Sequence, residues 1–191
     1  MEPSMIEAEY KAKLTNPDSV RAMLKERAEA ENVSYRDVYF DTEDNELARA
    51  DREFRLRTIS GAGETRHLLT FKDSAVDAAT GSKPEFETVV GEREPLEEII
   101  AHLGYTPMIE LTKHCENFRF ASTGHELLAT VVTVPEIDGT FLELETQATE
   151  ENLHAALAEL RTVLAELGVS EDQLTTELYT DAVAAVRNRP K

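Results

Sequence analysis

Positive charge is scarce in this sequence: 20 Lys and Arg stand against 38 Asp and Glu, a formal net charge of −18. A surface dominated by carboxylates repels phosphate backbones at long range, which argues against nucleic acid or an anionic membrane as a partner. Cysteine is almost absent. Cys115 alone excludes an internal disulfide framework and suits a reducing compartment. No apolar run approaches the roughly 18 residues a membrane span needs. The Met1-Glu2-Pro3-Ser4 start lacks a basic segment followed by an apolar one, so the chain reads as soluble and cytoplasmic. The five histidines (His67, His102, His114, His125, His154) lack ligand spacing, which makes a zinc site an unattractive reading. Gly61-Ala62-Gly63 precedes no helix and reads as a hairpin turn rather than a phosphate loop. With no repeat, low-complexity stretch or linker, and 41% apolar residues, residues 1–191 are expected to form one domain with its core at about 5–186.

What the sequence has is alternation. Met5 to Leu14 places Glu7, Glu9, Lys11 and Lys13 at every second position, with Ile6, Ala8, Tyr10 and Ala12 between them. That period predicts a strand with one charged and one apolar face. Further strands are predicted over 35–41, 53–59, 67–72, 83–90, 108–120, 126–134 and 140–146. Thr42 to Asn45 reads as a turn, and residues 73–83, which carry neither period, as a mobile loop. Helices are predicted over 18–30, over 95–103 ending at Gly104, and from a Thr149 cap along a leucine stripe to Leu167. Ser170 with Gln173 has the spacing of a capping box, predicting a last helix through about Val186.

Sorted by phase, the strands repeat one theme. Glu53, Arg55 and Arg57 share a face, as do Thr70 and Lys72, then Lys83, Glu85 and Glu87, then Lys113, Cys115, Asn117 and Arg119, and finally Glu143 and Glu145. Taken one strand at a time, this describes the wet face of an ordinary antiparallel sheet. Taken together, the apolar helix stripes need apolar partners, and only the opposite strand faces supply them. A sheet that closes with helices outside turns the charged faces inward. The predicted fold is therefore α+β: a closed antiparallel β-barrel with a polar lumen whose Glu, Lys and Arg side chains pair with one another. Carboxylate oxygens suit Mg²⁺ or Mn²⁺, guanidinium and ammonium groups suit a polyanion, and both together suit a metal-chelated triphosphate.

The order of these residues resembles the CYTH, or triphosphate tunnel metalloenzyme, superfamily. The resemblance rests on Glu7-x-Glu9-x-Lys11, Tyr39-Phe40-Asp41-Thr42, Arg55-x-Arg57, Thr70-x-Lys72, Glu85-x-Glu87, Leu103-Gly104-Tyr105, Lys113, Glu143-x-Glu145 and the terminal Tyr179. It implies an eight-stranded tunnel in which Glu7, Glu9, Glu143 and Glu145 hold the metal and Glu85 and Glu87 support them. It also implies that Lys11, Arg55, Arg57, Lys72 and Lys113 grip the phosphates, with Lys11, Arg57 and Lys72 nearest the chemistry. Two departures stand out. Cys115 replaces an arginine common in the family, with Arg119 a candidate substitute, and Thr133 falls where many members carry an aspartate. The implied functions are a class IV adenylyl cyclase forming cyclic AMP and pyrophosphate from ATP, or a phosphohydrolase of inorganic tripolyphosphate, thiamine triphosphate or a nucleotide. A weakly catalytic polyphosphate- or nucleotide-binding protein is the remaining reading, and under each the protein is expected to be a monomer or homodimer.

Overall fold

In the computed structural model, which describes residues 5–189, the strand periods become eight antiparallel strands closed into a barrel. They are β1 (Ile6–Lys13), β2 (Glu31–Asp41), β3 (Glu53–Gly61), β4 (Glu64–Lys72), β5 (Lys83–Val90), β6 (Thr106–Ser122), β7 (His125–Thr133) and β8 (Phe141–Ala148), in the cyclic order β1-β5-β4-β3-β2-β6-β7-β8. The β3–β4 hairpin turns on Ala62 and Gly63, both with positive φ, the geometry of a two-residue primed turn. At 17 residues β6 is the longest strand, since its first half pairs with β2 and its second half with β7.

Helices α1 (Pro17–Lys25), α3 (Arg93–His102) and α4 (Leu153–Glu166) bury their apolar stripes on the outer faces of the strands, whereas α5 (Tyr179–Arg187) packs Tyr179 and Val183 on inward-facing residues such as Val132 and Phe141. Ala8, Tyr10 and Ala12 of β1 meet Ala156, Leu157, Leu160 and Leu164 of α4 in one cluster that also takes in Leu24 of α1 and Phe118 of β6. Each leucine fully buried there contributes roughly 1.5–3 kcal/mol. Ile100 of α3 packs on Val38, Phe40 and Leu56. Among the described residues, no helix is long and apolar enough to cross a membrane.

Four local differences from the sequence reading have physical causes. Helix α1 stops at Lys25 rather than near residue 30, because the Leu24 carbonyl accepts from both Arg27 and Ala28 and the chain must be extended by Glu31 to pair with β6. The turn at 42–45 leads into a short helix, α2 (Glu46–Arg49), held by Asp41: its carboxylate accepts from the N–H groups of Thr42, Leu47 and Ala48 at 2.7, 2.9 and 2.9 Å. The N-cap of α4 is Asn152, a turn beyond Thr149, whose N–H and hydroxyl both donate to the Asn152 side chain. Ser170 and Gln173 do bond to each other, but they close a single 3₁₀ turn at Glu171–Gln173.

The last of these differences follows from the edge of β1. That strand pairs with β5 only at Ile6–Pro84 and Glu7–Lys83, which leaves most of its edge open. Ser82 Oγ fills part of it by accepting from the Glu9 N–H at 3.3 Å. Leu174 bridges to Ala12, and the Thr175 N–H donates to the Lys11 carbonyl at 2.9 Å. The chain thus runs extended past the 3₁₀ turn, and α5 begins only at Tyr179. In the 73–83 segment, Asp77 organises a turn by accepting from the N–H groups of Ala79 and Thr80, and it bridges to Ser82.

Candidate functional site

Period-2 alternation sends Glu7, Glu9 and Lys11 of β1, Arg55 and Arg57 of β3, and Lys72 of β4 into one lumen. There they meet Glu85 and Glu87 of β5, Lys113 and Arg119 of β6, and Glu143 and Glu145 of β8, around a cavity of about 880 Å³. Every residue singled out as metal- or phosphate-binding in the sequence therefore lines the same space. Small-molecule sites commonly occupy roughly 300–1,000 Å³. Arg119 sits exposed at its rim, whereas Glu7, Arg55 and Lys113 are buried.

On one side is a carboxylate cluster. Glu7, Glu9 and Glu145 each offer an oxygen, all within 4.8 Å of one another. Burial works against every charge in this group, and the carboxylates repel each other. Glu7 nonetheless stays well below the usual carboxylate range, because Lys72 lies 2.5 Å away. Its neighbours go the other way: burial, then the charges of Glu143 and Glu7, push Glu9 up to about 8. Burial with Glu7 and Glu9 raises Glu145 well above its ordinary value. Glu85, 3.1 Å from Lys72 Nζ, is raised to about 7 by burial and by Glu7. The donor set is all hard oxygen, crowded enough that like charges displace protonation equilibria, and it fits a divalent cation such as Mg²⁺ or Mn²⁺. Glu143, beside the cluster, is 3.4 Å from Lys113 Nζ, and Glu87 accepts from the Thr70 hydroxyl at 2.9 Å.

The cationic side depends on a residue that the phase sorting missed. Asp37, fully buried on β2, receives Nε and Nη2 of Arg57 at 2.7 and 2.8 Å and lies 3.9 Å from Arg55. Burial opposes its charge, but Arg57 prevails and holds it well below the usual range. Tyr35 lies beneath the Arg57 guanidinium at 4.2 Å and accepts from Asn117, which accepts in turn from Thr130. The alternation Tyr35-x-Asp37-x-Tyr39 was the available signal. Lys83, in phase with Glu85, is taken up by Asp51 and Glu53 at 2.9 and 3.0 Å.

Both departures from the family pattern acquire a location. Cys115 is buried among Val33, Leu111 and Val132, and burial with the Glu143 charge pushes its thiol up to about 12, which makes it a wall residue and not a nucleophile. Thr133 does not face the lumen. The β7–β8 register pairs Leu128 with Glu145, Thr130 with Glu143 and Val132 with Phe141, so those three point inward and Thr133 outward. Thr130, buried against Asn117, is the polar β7 residue on the site face.

The C-terminal segment completes the enclosure. Tyr179, at the start of α5, lies under two ammonium groups, with Lys11 Nζ 4.8 Å and Lys113 Nζ 4.3 Å from its ring centroid. Lys11 also donates to the Glu177 carbonyl. Among the buried polar atoms of the lumen, Arg55 Nε and Glu85 Oε2 have no partner in hydrogen-bond geometry, and Tyr179 Oη lies beside the Glu143 carboxylate short of a well-formed bond.

The closed antiparallel barrel thus sets a carboxylate cluster against buried arginines and lysines in one lumen. The CYTH domain model matches residues 5–179, and the chain belongs to that family. It is 24% identical over 180 residues to a protein of Methanocaldococcus jannaschii named as a candidate adenylate cyclase, covering 93% of this chain and 98% of that one. The structure of the PH1819 protein of Pyrococcus horikoshii superposes with a TM-score of 0.81 at 22% identity, covering 96% and 99% of the two chains. A Hippeastrum protein, named for adenylyl cyclase and described as having a dominant triphosphatase activity, superposes with a TM-score of 0.64 at 14% identity over 95% of each chain.

Proposed function

We propose that this protein is a metal-dependent enzyme that cleaves a triphosphate held in the barrel lumen, converting ATP to cyclic AMP and pyrophosphate. The observation that carries the triphosphate reading is the opposition of the Glu7–Glu9–Glu145 cluster to Arg55, Arg57, Lys72 and Lys113, with Arg55 Nε unpartnered and available to an anionic oxygen. Glu7, Glu9 and Glu145 would hold the cation, with Glu143 beside them and Glu85 and Glu87 in support. The chemistry supplied by a bound Mg²⁺ or Mn²⁺ is neutralisation of charge on the phosphate oxygens. The chain's own contribution is binding and orientation. Arg55 and Arg57, aimed by Asp37 and Tyr35, present fixed donors to the phosphates; Lys11, Lys72 and Lys113 add point charges that stabilise a leaving pyrophosphate; Arg119 receives the anion at the rim.

In the cyclase reaction the ribose 3′-hydroxyl attacks the α-phosphorus and pyrophosphate departs. The name of the Methanocaldococcus jannaschii relative favours this reaction. The description of the Hippeastrum protein favours a second, in which water attacks a terminal phosphorus and orthophosphate leaves. One experiment separates them. Purified protein with Mg²⁺ or Mn²⁺ receives ATP and, separately, inorganic tripolyphosphate. Cyclic AMP with pyrophosphate supports the cyclase, orthophosphate supports the phosphohydrolase, and binding without turnover removes both.

A further inference from the structure

Tyr179 is 6% exposed and enters the lumen not from a strand but from the first turn of α5. Its ring is braced edge-on against Phe141, the centroids 5.2 Å apart at 88°. Lys11 and Lys113, lysines from non-adjacent strands of the barrel, both lie over that ring. Two ammonium groups near one ring repel each other, and the negative π face offsets part of that repulsion. The hydroxyl is buried beside the Glu143 carboxylate, close enough to interact with it but short of a well-formed hydrogen bond. A buried hydroxyl so poorly paired is a standing cost, which a structural tyrosine could avoid by being phenylalanine.

Building on the triphosphate reading above, we propose that Tyr179 is a positioning residue of that site. Its ring fixes where Lys11 and Lys113 present their charge, and its poorly paired hydroxyl turns to an oxygen that arrives with the bound polyanion. The C-terminal segment is then part of the binding machinery, and Lys11, which donates to the Glu177 carbonyl, exchanges that contact for phosphate.

The test uses the full chain and Mg²⁺-tripolyphosphate as probe, with binding measured by calorimetry and stability by thermal unfolding. Tyr179→Phe keeps the ring and removes the poorly paired hydroxyl, so it leaves the melting temperature of the ligand-free protein unchanged or higher while weakening binding about threefold to tenfold. Tyr179→Leu removes the ring as well and weakens binding by more than tenfold. That further loss shrinks or disappears in a Lys11→Met background, because the ring acts through the lysine. Wild-type affinity in Tyr179→Phe overturns the inference, as does a Tyr179→Leu loss that adds in full to that of Lys11→Met. Failure of the wild type to bind the probe overturns the triphosphate reading itself, and this inference with it.

Discussion

Asp37 gives the most exacting test of how the cationic wall is held. It is fully buried, and the guanidinium of Arg57, 13% exposed, closes on it through two hydrogen bonds of 2.7 and 2.8 Å. Arg55 and Lys113 are the next nearest positive charges acting on it. Replacing it with asparagine keeps the volume and one acceptor but leaves a cluster of buried cations without their counter-charge. Removing one partner of a buried pair costs about 3–5 kcal/mol, and the retained acceptor places Asp37→Asn near 3. For a chain of this length each kcal/mol shifts the melting temperature by about 2–4 °C, so the expected loss is about 6–12 °C in scanning calorimetry. Added Mg²⁺-tripolyphosphate should raise the variant's melting temperature by more than it raises the wild type's, since the polyanion supplies the missing charge. A variant that melts within 2 °C of wild type, with an equal ligand response, would refute the claim that Asp37 neutralises and aims Arg57.

The other expectations concern the metal side, the wall and the cap of α2. Glu9→Gln should lower the affinity for Mn²⁺ by about 100-fold or more without unfolding the barrel, as read by metal titration with circular dichroism, because it removes one of three converging oxygens. Native Cys115 should resist a thiol reagent at pH 7 and react fully in denaturant, given its burial and its raised pKa of about 12; rapid labelling of the folded protein would contradict the wall assignment. Asp41→Ala should destabilise the protein by about 1–2 kcal/mol through loss of the α2 cap. Burial opposes the Asp41 charge, but hydrogen bonds from Ala48, Leu47 and Thr42 outweigh it and hold the folded-state carboxyl below its ordinary 3.8. The advantage of Asp41 is therefore complete above that pH and lost as the pH falls through the folded value, so wild-type and Asp41→Ala denaturation midpoints should converge in acid.

Much of the site was legible because a strand repeats every two residues. Once Glu7-x-Glu9-x-Lys11 is a strand, its charges share a face, and the same holds for Arg55-x-Arg57 and Glu143-x-Glu145. Asp37 escaped because a lone carboxylate among Tyr35, Val38 and Tyr39 does not announce a charged face; only the β2–β3 register, which places it opposite Arg57, gives it a partner. Thr133 stands in the sequence where many family members carry an aspartate, but the four residues Val131 to Val134 carry no phase, so only pairing with β8 shows that Thr130 and not Thr133 faces Glu143. The capping signature at Ser170 was real but local. It could not register that β1 has an open edge which captures residues 174 and 175 before a helix can form.

The sequence by itself determined which strand faces are charged, which helix faces are apolar, and hence that the charges turn inward, because alternation and amphipathic stripes are properties of neighbours along the chain. The tertiary structure alone decided which carboxylates converge and which are spent on lysines, how Asp37 and Tyr35 aim Arg57, and that Tyr179 lies under Lys11 and Lys113. Those relations join residues up to 168 positions apart, and they exist only when barrel closure and strand register bring the residues to a common layer.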